Sequence, residues 1–254
     1  MTTLSEIPAP QRRSTAIALN RAAYHFSRHW LAWFLAVAGL WVLLPWLAPV
    51  FMRLGWEGPA NAIYWIYSFQ CHQLPQRSFF LFGPQPMISL ERIRSLWDDT
   101  LDPRVLRSFI GDAAVGFKVA WSDRMVSTYS SLPLAAALWW PMRRRLKPLP
   151  LWGFVLLTLP LLLDGASHMV SDLAGIDQGF RAANAWLAAL TANRLPASFY
   201  AGNALGSFNS WMRLTSGALF GIGAVWFAFP HVDLSFRQTA EAIRAKFEPA
   251  GVAL

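Results

Sequence analysis

The sequence predicts an all-α integral membrane protein with about four transmembrane helices and an outer cap of short amphipathic helices. Three observations carry that fold class. Of 254 residues, 55% are hydrophobic and only 14% charged, whereas an ordinary soluble domain is roughly a quarter charged. The apolar residues fall in blocks of about twenty, the length that crosses a bilayer as a helix. The basic residues cluster between those blocks, so the formal net charge of +8 is read as topology before it is read as a binding surface. On this basis the chain divides into a cytoplasmic N-terminal arm over 1–29, a membrane domain over 30–230 and a cytoplasmic tail over 231–254.

The first span, about 30–52, runs from Trp30 to Met52 with no charge in 23 residues. At 1.5 Å per residue it covers a hydrocarbon core of about 30 Å. Ala60-Asn61-Ala62 has the spacing of a signal-peptide cleavage site, but the 29-residue leader and the long apolar run exceed signal-peptide dimensions. The second span, about 120–140, covers Met125 to Trp140, extended at its front by the less apolar run Ala113 to Trp121. It stops at Pro141, before Arg143, Arg144, Arg145 and Lys147. The third, about 149–170, carries Asp164 and His168 near its far end. The fourth, about 211–229, contains Gly217-x-x-x-Gly221, which either permits close helix approach or reflects the abundance of glycine in such helices.

Two outer segments, 53–119 and 171–210, connect these spans. Pro59 to Phe82 is rich in aromatics but broken by Gln70, His72, Gln73, Pro75 and Arg77, which fits a short interfacial or re-entrant helix followed by a turn. Leu90, Ile93 and Trp97 share one helical face. Asp102-Pro103 reads as a cap and first residue of a helix over Arg104 to Ile110, and the Ala-rich run Arg181 to Leu190 as another short helix.

Orientation follows from the basic residues. Arg12, Arg13, Arg21 and Arg28 in the arm oppose only Glu6, and the 141–148 turn has four bases and no acid, which places both inside. Eleven of the 22 Lys and Arg lie in the arm, this turn and the tail. Nucleic acid is therefore excluded as a partner, and the lipid bilayer takes its place. Trp30, Trp33, Trp139, Trp140, Trp152 and Trp226 fall toward the inner interface, and Trp46, Trp56 and Trp211 toward the outer one, as an aromatic belt requires.

The chemistry lies in polar groups next to apolar stretches, because burying them in lipid costs several kcal/mol unless they are paired or face a cavity. Four groups map to the outer third of the membrane: Cys71-His72-Gln73 with Arg77 and Ser78; Asp123-Arg124, beside Lys118 and Ser122; Asp164 with His168; and Asn209 with Arg213. Asn209, Arg213 and Gly217 share one helical face. Arg213 needs a counter-ion, and Asp164, at similar depth on the preceding span, is the expected one. Either this pair pins two helices, or Arg77, Arg124 and Arg213 line an outward-facing pocket with Asp123 and Asp164. Three converging arginines suit a phosphate or carboxylate through bidentate contacts.

Cys71 and His72, with His168 elsewhere, raise a metal site or a nucleophilic pair. Adjacent helical residues point about 100° apart, and a lone cysteine is usually a small buried residue. No metal ligand set is assigned. No serine-hydrolase elbow, P-loop or dinucleotide fingerprint is present, so the sequence names no cofactor and no recognisable catalytic motif.

Cys71-His72-Gln73-Leu74-Pro75-Gln76-Arg77-Ser78-Phe79-Phe80, Asp164-Gly165 and Asn209-Ser210-Trp211-Met212-Arg213-Leu214-Thr215-Ser216-Gly217 together resemble a family of bacterial and archaeal multi-pass membrane proteins known only as a domain of unknown function. The likeness covers roughly residues 60–230. It implies a location in a bacterial or archaeal cytoplasmic (inner) membrane and no activity. Members of that family commonly carry Cys-x-Arg-Cys-x-Gly-x-Tyr after the first motif. Here Ser122-Asp123-Arg124-Met125-Val126-Ser127-Thr128-Tyr129 keeps the arginine and tyrosine and lacks both cysteines, which leaves Cys71 without the two further thiolates that the family's motif would add to a metal or redox site. His168 stands where the family has glutamine.

Three functions follow as expectations. The first is a binding or transport-like role, in which Cys71, His72, Gln73, Arg77, Ser78, Asp123, Arg124, Asp164, His168, Asn209 and Arg213 surround an anionic lipid head group or small anion. The second is an accessory subunit of a larger membrane complex, with Gly217 and Gly221 on an exposed face. The third and weakest is a metal-dependent membrane enzyme.

Overall fold

A computed structural model describes residues 9–249, with side chains from residue 14. It is 69% helix and 6% strand. Helix α1 (Ala9–Arg53) is kinked at His29, whose φ of −117° and ψ of 18° leave the helical region. It is followed by α2 (Glu57–Ser68), a single 3-10 turn at Pro75–Arg77 and strand β1 (Ser78–Leu81). Helices α3 (Leu90–Leu96) and α4 (Pro103–Leu106) come next, then β2 (Gly111–Asp112) and β3 (Gly116–Ser122). Helix α5 (Asp123–Met142) begins directly after β3, and α6 (Leu151–Asp172) follows it and packs against the last long helix. Short helices α7 (Phe180–Ala183), α8 (Ala185–Leu190) and α9 (Ala197–Tyr200) lead into α10 (Phe208–Phe247).

Helices α1, α5, α6 and α10 form a bundle with α10 packed against the other three. Segments Ser14–Arg53, Leu151–Asp172 and Phe208–Phe247 are long and apolar enough to cross a membrane. Their outer faces remain bare: Val37 is 67% and Leu162 61% exposed. Apolar side chains turned outward on long helices need a solvent other than water, and the protein is a membrane protein on this ground. The fourth helix, α5, is 20 residues long but not among the three most apolar segments. It owes its place to packing, because Ser127, Ser130 and Ser131 lower its hydropathy.

At one end of the bundle sits a cap with its own core of Leu74, Phe80, Ile88, Ile93, Leu106 and Phe109. Its short helices start where local chemistry allows: the Ser89 side chain accepts from Arg92 N at 3.3 Å, and Asp102 Oδ1 accepts from Arg104 N at 2.7 Å ahead of Pro103. The cap is not purely helical, however. β1, β3 and β2 form a three-stranded antiparallel sheet in that order, so the run 113–121 is not the front of a membrane span. Val119, Ala120 and Trp121 of β3 are fully buried. A strand covered on both faces has a continuous apolar run, which periodicity cannot tell from a buried helix. The Ala-rich run is also divided, since Asn184 adopts a left-handed φ of 44° between α7 and α8.

The opposite end holds the described parts of both termini. Tyr24 of α1 packs on Ala240, Ile243 and Phe247 of α10, so arm and tail continue their spans as a helical pair and are not loose polar tails. Between these ends α5 and α10 touch closely. A Cβ on Gly221 would lie 1.9 Å from Ser131 Oγ, and one on Gly217 2.7 Å from Ser127 Oγ. Ser131 Oγ donates to Gly217 O at 3.2 Å, and Ser127 Oγ to Leu214 O. The glycine face is therefore consumed inside the chain. It is not the exposed surface on which a subunit role was expected.

Candidate functional site

The sheet register assembles the site. Ser78 of β1 faces Ser122 of β3, which sets Arg77, just before β1, beside Asp123 and Arg124, just after β3. Cys71 ties the preceding loop to the same point: its Sγ accepts from Gln73 N at 3.3 Å and Ser122 N at 3.4 Å, and lies 3.4 Å from Ser122 Oγ. The loop can turn so sharply because Gln73 takes a left-handed φ of 51°, with its amide donating to Tyr64 O at 2.8 Å.

Three ion-pair groups surround this corner. Arg213, 2% exposed, donates from Nε to Asp123 Oδ1 at 2.7 Å and Oδ2 at 2.9 Å, and from its terminal nitrogens to Asn203 Oδ1 and Asn203 O, both at 2.9 Å. Its partner is thus Asp123 on α5, and not Asp164. Asp164 instead accepts from Arg124 at 2.7 Å and Arg181 at 2.6 Å, with His168 Nε2 3.2 Å from the same Arg181 nitrogen. Arg124 and Arg181 already occupy both carboxylate oxygens of Asp164. Arg77 makes a bidentate pair with Asp172, both bonds at 2.9 Å. Burial works against charge on Arg77, but the Asp172 pairing outweighs it and holds the guanidinium above its ordinary pKa. Asn209 is a bracket: its amide donates to Arg181 O at 2.7 Å and Gly202 O at 2.8 Å, fixing the 181–202 segment over α10.

On the open side of this network is a cavity of about 110 Å³ lined by Cys71, His72, Gln73, Arg77, Arg124 and Arg213, together with Leu74, Ser122 and Met125. Three arginines and no acid face it. Asp123 and Asp164, expected at its wall, lie behind it at 0% and 3% exposure, with His168 and Asn209. Ser78 is fully buried and donates to Leu74 O at 2.9 Å, so it braces the 3-10 turn and does not reach the cavity. Arg77 Nε and Arg124 Nε are buried N–H groups with no partner among the described residues. Because Ser122, Arg124 and Met125 line the cavity, the N-terminal turn of α5 also borders it, where the helix dipole favours an anion.

Sequence reasoning missed Asp172, Arg181, Asn203 and Asn184. Asp164, His168 and Asp172 recur every four residues on one face of α6, a stripe that could have revealed Asp172. Arg181 is a single charge inside an Ala-rich segment, and nothing local distinguishes it from a solvent-facing residue. In the sequence Lys118 stands out only as a neighbour of Ser122 and Asp123. It is fully buried, and its Nζ donates to Gln73 O at 3.0 Å and Arg107 O at 2.7 Å. Burial pulls its pKa down to about 7. A neutral amine has two N–H groups, which match those two carbonyls.

No group of three or more His, Cys, Asp or Glu positioned to hold a metal occurs among the described residues. No family model matches the chain, and no solved structure matches it. Over 42 residues the chain is 50% identical to an uncharacterised protein of Methanocaldococcus jannaschii. That stretch is 15% of this chain and spans 27% of the relative's length.

Proposed function

We propose that this is a four-span protein of a bacterial or archaeal cytoplasmic membrane with both termini inside, and that the arginine-lined cavity at its outer cap binds an anionic group in a binding or transport-like role. The observation that carries the reading is the sorting of charge: Arg77, Arg124 and Arg213 line the cavity, while Asp123, Asp164 and Asp172 stand outside its lining. A cavity of about 110 Å³ accepts a phosphate or carboxylate and not a whole lipid, so a lipid ligand enters by its head group alone. Topology is supported by the alternating direction of α1, α5, α6 and α10 and by the basic turn after α5.

A second reading is favoured by the pairing itself. Each cavity arginine already holds a carboxylate, so the network serves equally as a clamp between α5, α6, α10 and the cap. Arg124→Gln separates the two, because Asp164 keeps Arg181 and is not left unpaired. In the first reading, millimolar inorganic phosphate or acetate raises the melting temperature of the purified wild type over chloride at equal ionic strength, and Arg124→Gln abolishes the rise while remaining folded. Equal responses of the two proteins leave the clamp reading standing and the binding reading refuted.

A further inference from the structure

A second cavity, of about 500 Å³, opens at the terminal end of the bundle between residues 24–30 of α1, the end of α5 and residues 233–244 of α10. Arg28, Arg143, Arg144, Arg237 and Arg244 line it. The two acids in its wall are Asp233 and Glu241. Asp233 is engaged by Trp30 Nε1 at 3.1 Å and Arg237 at 3.0 Å, and Arg244 is turned to Glu248 at 2.6 Å. Arg28 and Arg143 spend one N–H each, on Tyr24 Oη at 3.1 Å and Trp140 O at 2.8 Å. Arg144 has no partner among the described residues. Three guanidinium groups thus keep most of their donors free around one cleft.

An apolar groove of about 310 Å³ lies at the same end, lined by Leu138, Trp139, Met142, Leu146, Ile222 and Trp226 among others. Met142 lines the groove and Arg143, the next residue, lines the cleft, so the end of α5 contributes to both. Arg213 and Asp233 are twenty positions apart on α10, about 30 Å along the axis. This is one hydrocarbon thickness. The cleft therefore lies at leaflet-surface depth with the groove beginning beneath it.

We propose that this end binds one anionic phospholipid, with its phosphate among Arg28, Arg143 and Arg144 and an acyl chain along the Leu138–Ile222 groove. The groove is what favours a lipid over a free phosphate, which has no use for apolar surface, and the free guanidinium donors are what favour an anionic head group over a zwitterionic one. The site is remote from the cap cavity and does not depend on it.

Native mass spectrometry of delipidated protein in a neutral detergent, titrated with phosphatidylglycerol and with phosphatidylcholine of matched chains, tests this. The wild type is expected to retain one phosphatidylglycerol in preference to phosphatidylcholine. Arg28→Gln/Arg144→Gln, on exposed side chains, is expected to weaken phosphatidylglycerol about thirtyfold, and Ile222→Trp, which fills the groove, to weaken it as well. Arg94→Gln, at the cap but lining neither cavity nor the groove, is expected to change nothing. Equal binding of the two lipids, unchanged binding by the double variant, loss of binding in Arg94→Gln, or displacement of the lipid by an equal concentration of inorganic phosphate would each overturn the proposal.

Discussion

At the cap end, Arg213 is 2% exposed and gripped by Asp123 and Asn203. At the terminal end, Arg237 also pairs with an aspartate, Asp233, yet its side chain is 58% exposed. The same pair of residue types does different work at the two ends because burial, and not pairing, sets what its loss costs. A buried charge left without its partner has no water to turn to, whereas an exposed one is resolvated and screened within a Debye length. The cap network is consequently a structural commitment as well as a surface. At the terminal end it is Arg28, Arg143 and Arg144 that keep donors for a ligand.

The strongest way to break this comparison is Asp123→Ala, which strands Arg213. A loss of about 3–5 kcal/mol is expected, seen as a collapse of the protein's level in membranes. The double variant Asp123→Leu/Arg213→Met should recover much of it, because removing both charges leaves neither buried alone. Recovery no better than the single variant would mean that the pair is valued for something other than charge neutralisation. Next in size is Gly221→Ala, whose Cβ meets Ser131 and forces α5 from α10 at about 1–3 kcal/mol. Gly39→Ala, with nothing within 4 Å, serves as its control and should leave the melting temperature unchanged or slightly raised, because alanine is the better helix former.

A smaller effect concerns pH at the cap. Lys118 titrates near 7 in the folded protein and near 10.5 when free. Between those values the unfolded chain binds a proton that the folded chain does not, so stability rises with pH across that window and the contribution is flat below it. Melting temperatures at pH 7 and pH 9 should therefore show a larger increase for the wild type than for Lys118→Met; parallel increases would place the titration elsewhere. The smallest effect is expected at the other end. Arg244→Gln, which breaks the exposed pair with Glu248, should leave the melting temperature unchanged at physiological salt, and a measurable drop would show that the terminal cleft is less solvated than its exposure implies.

What was legible in the sequence was local. The long apolar helices, the Asp102-Pro103 helix start and the break after α2 each follow from residues a few positions apart, and the structure shows them. Cys71, Arg77, Arg124 and Arg213 were also visible as a group, since an arginine next to an apolar run is conspicuous. The identity of Arg213's partner was not legible: depth on the preceding span points to Asp164, whereas the close packing of Gly217 and Gly221 on Ser127 and Ser131 sets α10 against α5, and the partner is Asp123 at the head of that helix. The sheet escaped for a related reason, because pairing of β1 with β3 joins residues about forty apart and β3 carries no alternation to announce it.

The pairing of Arg213 with Asp123 joins residues 90 positions apart. During synthesis Asp123 is made at the head of α5 well before α10 exists, and its arginine comes only with the last long helix. Arg181 follows Asp164 sooner, 17 positions on. The order of the chain therefore separates the two pairings: Asp164 has both of its arginines before α10 is made, whereas Asp123 has its own only with α10.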